Sequence, residues 1–190
     1  MAAPVERITM PIAIVVIVLV LLAVGGISIY NGIVTKRNRC DNAWQTIETQ
    51  LQRRNDLLPN RVETVKGYAS PESETLAAVT AARAASTSAT TPGEVAAAEN
   101  QVMGALRQLL VVAEAYPDLK ANANFQQLQS DLTDTENKIS YARQSYNDCV
   151  LTYNDAIETF PGSFVAGDSF RPKEGFVAGE TAREAPQVRF

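Results

Sequence analysis

The stretch that decides the fold runs from residue 125 to residue 160 and reads FQQLQSDLTDTENKISYARQSYNDCVLTYNDAIETF. Apolar and aromatic residues recur along it at alternating steps of three and four, which places them on one face of an α-helix. No stretch of the chain alternates polar and apolar residues as a strand would. The pattern therefore predicts one long helix with a continuous apolar stripe. The stripe consists of Phe125, Leu128, Leu132, Thr135, Ile139, Ala142, Tyr146, Cys149, Tyr153, Ala156 and Phe160.

A second stripe precedes the first one and follows a mostly 3-4 spacing, with a single interruption at Arg54. Since glycine favours the position just after a helix, we expect this helix to end near Gly67 and to continue backwards into the apolar N-terminal stretch without a break. Its members are Cys40, Trp44, Ile47, Leu51, Arg54, Leu58, Val62 and Val65.

Two shorter helices are predicted between the two long ones. Ser70-Pro71-Glu72 supplies a serine cap, a proline at the first helical position and an acid in the first turn. Thr91-Pro92-Gly93-Glu94 repeats that pattern, and Glu94 is placed to complete a capping box. Tyr116-Pro117 ends the second of these helices. Together the four helices predict an all-α, antiparallel up-and-down four-helix bundle with short loops.

The N-terminal apolar stretch, Ile12 to Tyr30, reads IAIVVIVLVLLAVGGISIY. It is long enough to cross a bilayer, which takes about 20 apolar residues in a helix. A cleaved signal peptide is the alternative, with Ala23-Val24-Gly25 as a weak cleavage site. Against it, the apolar stretch continues to Val34 and ends in a cluster of cations. We therefore expect an N-terminal tail at 1–7, an uncleaved transmembrane helix at 8–35, the bundle domain at 36–160 and an aromatic-containing tail at 161–190.

The positive charges that flank the span predict its orientation. Lys36, Arg37 and Arg39 follow it, whereas only Arg7 precedes it. Lysine and arginine accumulate on the cytoplasmic side of short flanks. We therefore expect the bundle domain in the cytoplasm and the N-terminus outside.

The span contains Gly25, Ser28 and Gly32 at steps of three and four, so these small residues share one helix face. Such a face permits two helices to approach closely in lipid, although glycine is also common in membrane helices without this role. We treat the three residues as a candidate oligomer face.

The register of the two long helices brings further residues together. If they are antiparallel with Tyr68 level with Ala121, equal steps along both lead to Cys40 and Cys149. We expect these two residues to be neighbours, as packed thiols or as a disulfide, and we expect reduced thiols in a cytoplasmic domain. The same register carries the end of the last helix to the membrane interface. The interface residues predicted in this way are Phe160, Phe164 and Val165.

The composition excludes several classes of site. Histidine, the commonest metal ligand and general base, is absent from the chain, and the net charge of −4 disfavours nucleic-acid binding. Two cysteines are too few for a zinc site made of thiolates alone. No phosphate-binding glycine loop or nucleophile elbow occurs. We therefore predict no catalytic residues, no cofactor and no metal.

Two polar clusters lie on the predicted helices: Arg53, Arg54, Asp56 and Asn60, and a second one made of Asn38, Asp41, Asn42, Asn147 and Asn154. Carboxylates beside cations can perform acid–base chemistry or bind a cation. Buried asparagine and arginine residues more often fix helix register. We interpret both clusters in the second way.

Three stretches of the chain resemble the LemA family of bacterial membrane proteins. They are RNRCDNAWQTIETQLQRRNDLLPNRVETVKGYA (37–69), the stretch from EAYPDLK to DAIETFP (114–161) and the spacing F-x(5)-F-x(13)-F of Phe170, Phe176 and Phe190. The region from Ala77 to Gln101 diverges, and Cys40 and Cys149 stand where the family more often has small or aliphatic residues. The resemblance implies a four-helix bundle on a single-pass anchor, and it implies no established activity.

Three functions remain open from the sequence. The first is a membrane scaffold or interaction protein, in contact with the lipid bilayer, that oligomerises or binds a protein partner. The second is a binding module or sensor that captures a peptide, a lipid or a small ligand. The third, an enzyme, is disfavoured by the missing motifs. We expect the first.

Overall fold

The computed structural model describes residues 4–69 and 72–176, with side chains described from residue 11 onward. Every regular element in these ranges is helical, so the prediction of an all-helical chain with an apolar N-terminal helix is confirmed. The elements are α1 (Pro4–Lys66), α2 (Ser73–Ser88), α3 (Pro92–Ala115), α4 (Pro117–Ala121), α5 (Ala123–Glu158), α6 (Gly162–Ala166) and a 3-10 turn (Gly167–Ser169).

Helix α1 runs without a break from the apolar stretch into the first soluble stripe, as predicted, and it ends at Lys66, next to Gly67. Its most apolar window has a mean hydropathy of 3.2 and is 0% buried. Within the described ranges it is the one helix that is long and apolar enough to cross a membrane. An apolar surface of this kind is costly in water, and it fits a membrane anchor.

The capping box at the start of α3 is confirmed. The Thr91 hydroxyl accepts a hydrogen bond from the backbone N–H of Glu94 at 3.3 Å, and the Glu94 carboxylate accepts one from the backbone N–H of Thr91 at 3.0 Å. The predicted end of α3 at Tyr116 is also confirmed. The predicted cap of α2, Ser70-Pro71, lies outside the described residues, and α2 begins at Ser73 with no side-chain cap from Glu72.

The described residues form two compact units. The first contains residues 4–41 and 149–173, and the second contains residues 42–69, 72–148 and 174–176. Helices α1 and α5 each contribute residues to both units. The predicted domain limits at residues 35 and 160 remain predictions.

In the second unit, α1 to α5 share one hydrophobic core, because each carries its apolar residues at helical spacing on one face. The largest contributions come from α3, whose stripe is buried along most of its length. The core consists of Leu58, Val65, Ala69, Leu76, Val79, Ala82, Val102, Ala105, Leu106, Leu109, Ala113, Leu119, Phe125 and Leu132.

In the first unit, α1 contributes Ile33 and α5 contributes Tyr153 to the buried interior. Gly162 turns the chain so closely over α5 that an added Cβ would clash with the carbonyl oxygen of Ala156. One expectation fails here: Phe160, placed on the buried stripe of α5, is 85% exposed. Helix α5 ends at Glu158, because Pro161 cannot continue a helix and disfavours helical backbone in the residue before it.

Candidate functional site

The C-terminal tail is bound at residues 171–176 by side chains of α5, and we call these residues the segment. Part of this contact lies in the first unit. The Tyr153 hydroxyl donates a hydrogen bond to the carbonyl oxygen of Arg171 at 3.0 Å. Asn154 donates to the carbonyl oxygen of Lys173 at 2.9 Å and accepts from its backbone N–H at 2.9 Å. The Lys173 ammonium in turn forms an ion pair of 2.7 Å with Asp41 of α1. The segment is thus held by its main chain and by the side chain of Lys173.

The second unit contains the same arrangement with different residues. The Tyr146 hydroxyl donates to the carbonyl oxygen of Glu174 at 2.9 Å. Asn147 donates to the carbonyl oxygen of Phe176 at 3.0 Å and accepts from its backbone N–H at 2.7 Å. In each unit, therefore, one tyrosine and the asparagine that follows it bind the main chain of residues two apart. We call Tyr146–Asn147 and Tyr153–Asn154 the Tyr–Asn pairs.

A buried phenylalanine anchors the segment in each unit. In the first unit, the rings of Phe170 and Tyr30 lie edge-on, with 5.4 Å between their centroids. The guanidinium of Arg37 lies 5.6 Å from the ring centroid of Phe170. In the second, the guanidinium of Arg143 lies 4.4 Å from the ring centroid of Phe176. Contacts of a cation with an aromatic face contribute about 0.5–2 kcal/mol each.

The Tyr–Asn pairs can recognise an extended chain by its backbone, since their amide and hydroxyl groups bind main-chain atoms of the tail. The aromatic anchors add contacts to the two phenylalanine rings. The sequence interpretation of Asn147 and Asn154 as residues that fix helix register is wrong, because the structure commits both amides to the tail. Neither tyrosine was singled out for this role in the sequence. The available signal was the repeat of Tyr-Asn after seven residues.

A buried charge network occupies the second unit. Arg54 of α1 forms a bidentate ion pair with Glu99 of α3, and its Nη1 also lies 3.1 Å from Glu136 of α5. Arg143 of α5 contacts the second oxygen of Glu99 at 2.9 Å. The side chains of Arg54 and Glu99 are 0% and 2% exposed. Two carboxylates and two guanidiniums therefore neutralise one another among three helices.

The pKa values of the two arginines of the network are shifted in opposite directions. Burial alone would lower the pKa of Arg54, but hydrogen bonds and charge from Glu99, assisted by Glu136, outweigh it and raise that pKa. Burial, together with the positive charge of Arg54, lowers the pKa of Arg143. Each of the two carboxylates of the network thus has a guanidinium partner, and the ion pairs connect three helices.

The sequence anticipated one member of this network. Arg54 stood out as an interruption of the α1 stripe, but its predicted companions Arg53, Asp56 and Asn60 are exposed. The true partner, Glu99, sits between Val95 and Val102 on the buried face of α3. The available signal in the sequence was a basic residue, Arg54, on one apolar stripe and an acidic residue, Glu99, on another.

Arg61 is a second buried cation in this unit. It is 2% exposed, and its guanidinium lies 5.1 Å from the ring centroid of Phe125. Burial lowers its pKa to about 10. Its Nε and Nη2 have no hydrogen-bond partner within the described part of the chain.

An open groove of about 550 Å³ lies between α1 and α5 in the second unit. Gln50, Asp134, Lys138 and Tyr141 are among its lining residues. The buried Oε1 of Gln50 has no hydrogen-bond partner in the described chain. Among described residues, no group of three acidic or cysteine side chains is arranged to hold a metal ion, either here or elsewhere.

The predicted cysteine pair lies in the first unit. Cys40 is buried, Cys149 is half-buried, and both are free thiols. Burial raises the pKa of Cys40, and the charge of Cys149 raises it further, against the opposing charge of Lys173. The predicted adjacency of the two thiols remains a prediction.

The predicted oligomer face and interface residues also belong to the first unit. Gly25, Ser28 and Gly32 are exposed, and Cβ atoms added at the two glycines would meet nothing within 4 Å. Phe160 and Phe164 are 85% and 86% exposed. Val165, the third predicted interface residue, is half-buried.

Most of the chain is similar to known proteins. The family model of the LemA family matches residues 43–190. Protein LemA of Metamycoplasma hominis is 29% identical over 140 residues, which cover 72% of this chain and 63% of that protein. Magnetosome protein MamQ of Magnetospirillum gryphiswaldense is 25% identical over 189 residues, 84% of this chain and 70% of the relative.

The family match covers much of the site described above, but not the residues before position 43. It begins just before Trp44 and includes the charge network and both Tyr–Asn pairs. It also includes Phe170 and Phe176, the two anchors of the tail. Because the match extends over far more than half of the sequence, the chain belongs to the LemA family.

Proposed function

We propose that this protein is a membrane-anchored interaction protein whose helix α1 crosses the bilayer once and is not cleaved. One observation carries the proposal: the apolar N-terminal window of α1 is 0% buried, although the same helix continues into a packed helical unit. A bilayer is the environment in which such a surface is stable. We further propose that the helices sharing the core of the second unit form an antiparallel four-helix bundle.

The bundle faces the cytoplasm in this proposal. Lys36, Arg37 and Arg39 support that orientation against Arg7 alone. Reduced cysteines, which suit the cytoplasm, are in keeping with the free thiols of Cys40 and Cys149. Binding rather than catalysis is favoured by the charge network, in which each carboxylate is already paired.

Self-association through Gly25, Ser28 and Gly32 is part of the proposal. The open space beside Gly25 and Gly32 is supporting evidence, because a second helix could approach the α1 backbone there. A different protein, as partner, would bind the cytoplasmic domain instead of this face.

The oligomer face can be tested with a pair of adjacent glycines. Gly25→Leu adds bulk to the face, whereas Gly26→Leu adds the same bulk about 100° away around the helix. Both sites have room for a Cβ. We expect the molar mass of the protein in mild detergent, measured by light scattering, to fall in the first variant only. A monomeric parent protein, or equal behaviour of the two variants, would contradict self-association through this face.

A second candidate function, capture of an extended peptide, is favoured by the Tyr–Asn pairs. We propose that these pairs accept a foreign segment when the resident tail leaves. The test uses the full chain with Phe170→Ala and Phe176→Ala, which weakens the tail's own anchors, and the labelled peptide FRPKEGF. We expect the peptide to bind this variant more tightly than the parent, and to lose binding when Asn147→Ala and Asn154→Ala are added. Equal binding with and without both asparagines would exclude these pairs as the peptide site.

A further inference from the structure

A small groove in the first unit lies between α1 and the turn that follows α5. Its volume is about 260 Å³. Ile29, Gly32 and Ile33 form one wall, and Phe160 with Gly162 belongs to the other. The groove is formed because Gly162 lets the turn approach α5 closely enough to bring its backbone near Ile33. Its walls are therefore largely apolar.

Lys36 is the one charged residue among the lining residues of this groove. Its side chain is half-buried, and no carboxylate of the described chain forms an ion pair with it. Thr159, the polar neighbour in the lining, uses its hydroxyl to donate to the carbonyl oxygen of Asp155 at 2.6 Å. The groove therefore offers a cation without a counter-ion beside an apolar wall.

The groove lies at the end of the apolar stretch of α1. It begins at Ile29, inside the apolar stretch Ile12 to Tyr30, and it ends at Lys36, the first charge after that stretch. Phe160 in its lining and the nearby Phe164 expose 85% and 86% of their surface. Aromatic side chains of this kind are typical of the boundary between acyl chains and headgroups.

We propose that this groove binds an anionic phospholipid of the bilayer. The Lys36 ammonium contacts the phosphate, and the upper part of an acyl chain lies on Ile29, Ile33 and Phe160. Basic pockets beside transmembrane helices bind acidic headgroups by the same combination of charge and apolar contact. The inference rests on the proposed function, since it needs α1 to cross the membrane, and it names the lipid that the anchor region selects.

The charge of the site is tested with the full-length protein in mixed micelles of phosphatidylglycerol and phosphatidylcholine, by native mass spectrometry of the retained lipid. Lys36→Gln should reduce retained phosphatidylglycerol roughly fivefold, the effect of one cation near an anionic lipid surface. Arg39→Gln, an exposed cation outside the groove, should reduce it less than Lys36→Gln does, because Arg39 does not contact the groove. Lys36→Arg should restore retention. Equal loss in the Gln variants of Lys36 and Arg39 would show that diffuse charge attraction retains the lipid, and it would contradict a lipid site in this groove.

The shape of the site is tested with two glycines that both have room for a side chain. Gly32→Leu fills the groove, whereas Gly25→Leu places the same side chain on the same helix face outside it. We expect only the first to lose phosphatidylglycerol. If both variants retain it, or if phosphatidylcholine is retained equally by the parent protein, the proposal is overturned.

A failure of the lipid site can be separated from a failure of the anchor. Extraction of native membranes with alkaline carbonate releases peripheral proteins and leaves spanning proteins behind. A protein that resists extraction but selects no anionic lipid contradicts this inference alone. A protein that is released contradicts the proposed function as well.

Discussion

At the residue scale, the buried ion pairs of the second unit depend on single side chains. Arg54 occupies a position where the stripe of α1 calls for an apolar residue, and it is tolerated because Glu99 and Glu136 neutralise it. A buried ion pair contributes little net stability compared with apolar packing, but the loss of one partner is costly. The network thus connects α1, α3 and α5 through buried ion pairs.

Replacement of Glu99 by Gln should strongly destabilise the fold. The substitution leaves Arg54 buried with one acidic partner and Arg143 with none in the network. We expect a loss of about 3 kcal/mol in the free energy of unfolding. Thermal unfolding followed by circular dichroism in mild detergent measures it, with the exposed Glu114→Gln of the same helix as the control. An equal, small effect of both substitutions would show that the network is not structurally important.

At the scale of the element, the sequence predicted contacts between residues of one helical turn, but not contacts between residues far apart in the chain. The capping box of α3 was predicted because Thr91 and Glu94 lie within one turn and need no other part of the chain. The path of the tail was not predicted, because it depends on α5 side chains far away in sequence. Helical spacing shows which face is buried, but not what covers it.

The start of α3 should give the protein a measurable acid sensitivity. Hydrogen bonds from the backbone N–H groups of Thr90 and Thr91 and from their hydroxyls lower the pKa of Glu94 from 4.5 to about 2. Its stabilising contribution is therefore complete above about pH 4.5 and is lost as the pH falls towards 2. We expect the parent protein to exceed Glu94→Gln in melting temperature at pH 5, and this difference to shrink as the pH falls. A constant difference would contradict the assignment, and Glu114→Gln again serves as the control.

The attachment of the tail to α5 should depend on single amides. Asn154→Ala removes both hydrogen bonds to the main chain of Lys173. We expect hydrogen–deuterium exchange at the Lys173 amide to accelerate by about tenfold, which corresponds to the loss of roughly 1.4 kcal/mol of local protection. Asn137→Ala, an exposed asparagine of the same helix, should leave that exchange rate unchanged. Unaltered exchange in Asn154→Ala would show that other contacts hold the tail.

At the scale of the whole molecule, the helical class and the apolar N-terminal helix could be predicted from the sequence. Both follow from strong signals, the 3-4 period over residues 125–160 and the uncharged stretch between Arg7 and Lys36. The sequence holds signals for the charge network and the Tyr–Asn pairs, but not their partners, since each joins residues whose proximity only the folded chain establishes. Phe160 illustrates the limit, because its spacing suited the stripe while Pro161 ended the helix.

The soluble helices should fold without the anchor. The core of the second unit draws on five helices and on no residue of the apolar stretch 12–30. We expect the fragment 39–160 to be soluble and helical, and to unfold in one cooperative transition by circular dichroism. The fragment 39–176 should melt at a higher temperature, because it keeps the tail contacts. Random-coil spectra or immediate aggregation of both fragments would contradict the prediction.

The central claim, a single span with the helical domain in the cytoplasm, is tested most directly by labelling intact cells with a membrane-impermeant thiol reagent. Cysteine is introduced either at Ala3 in the N-terminal tail or at the exposed Glu114 in α3, and the parent chain gives the background from Cys40 and Cys149. We predict that the cysteine at position 3 is labelled in intact cells and that the one at position 114 is labelled only after the membrane is opened. Labelling of position 114 in intact cells, with position 3 protected, would contradict this topology.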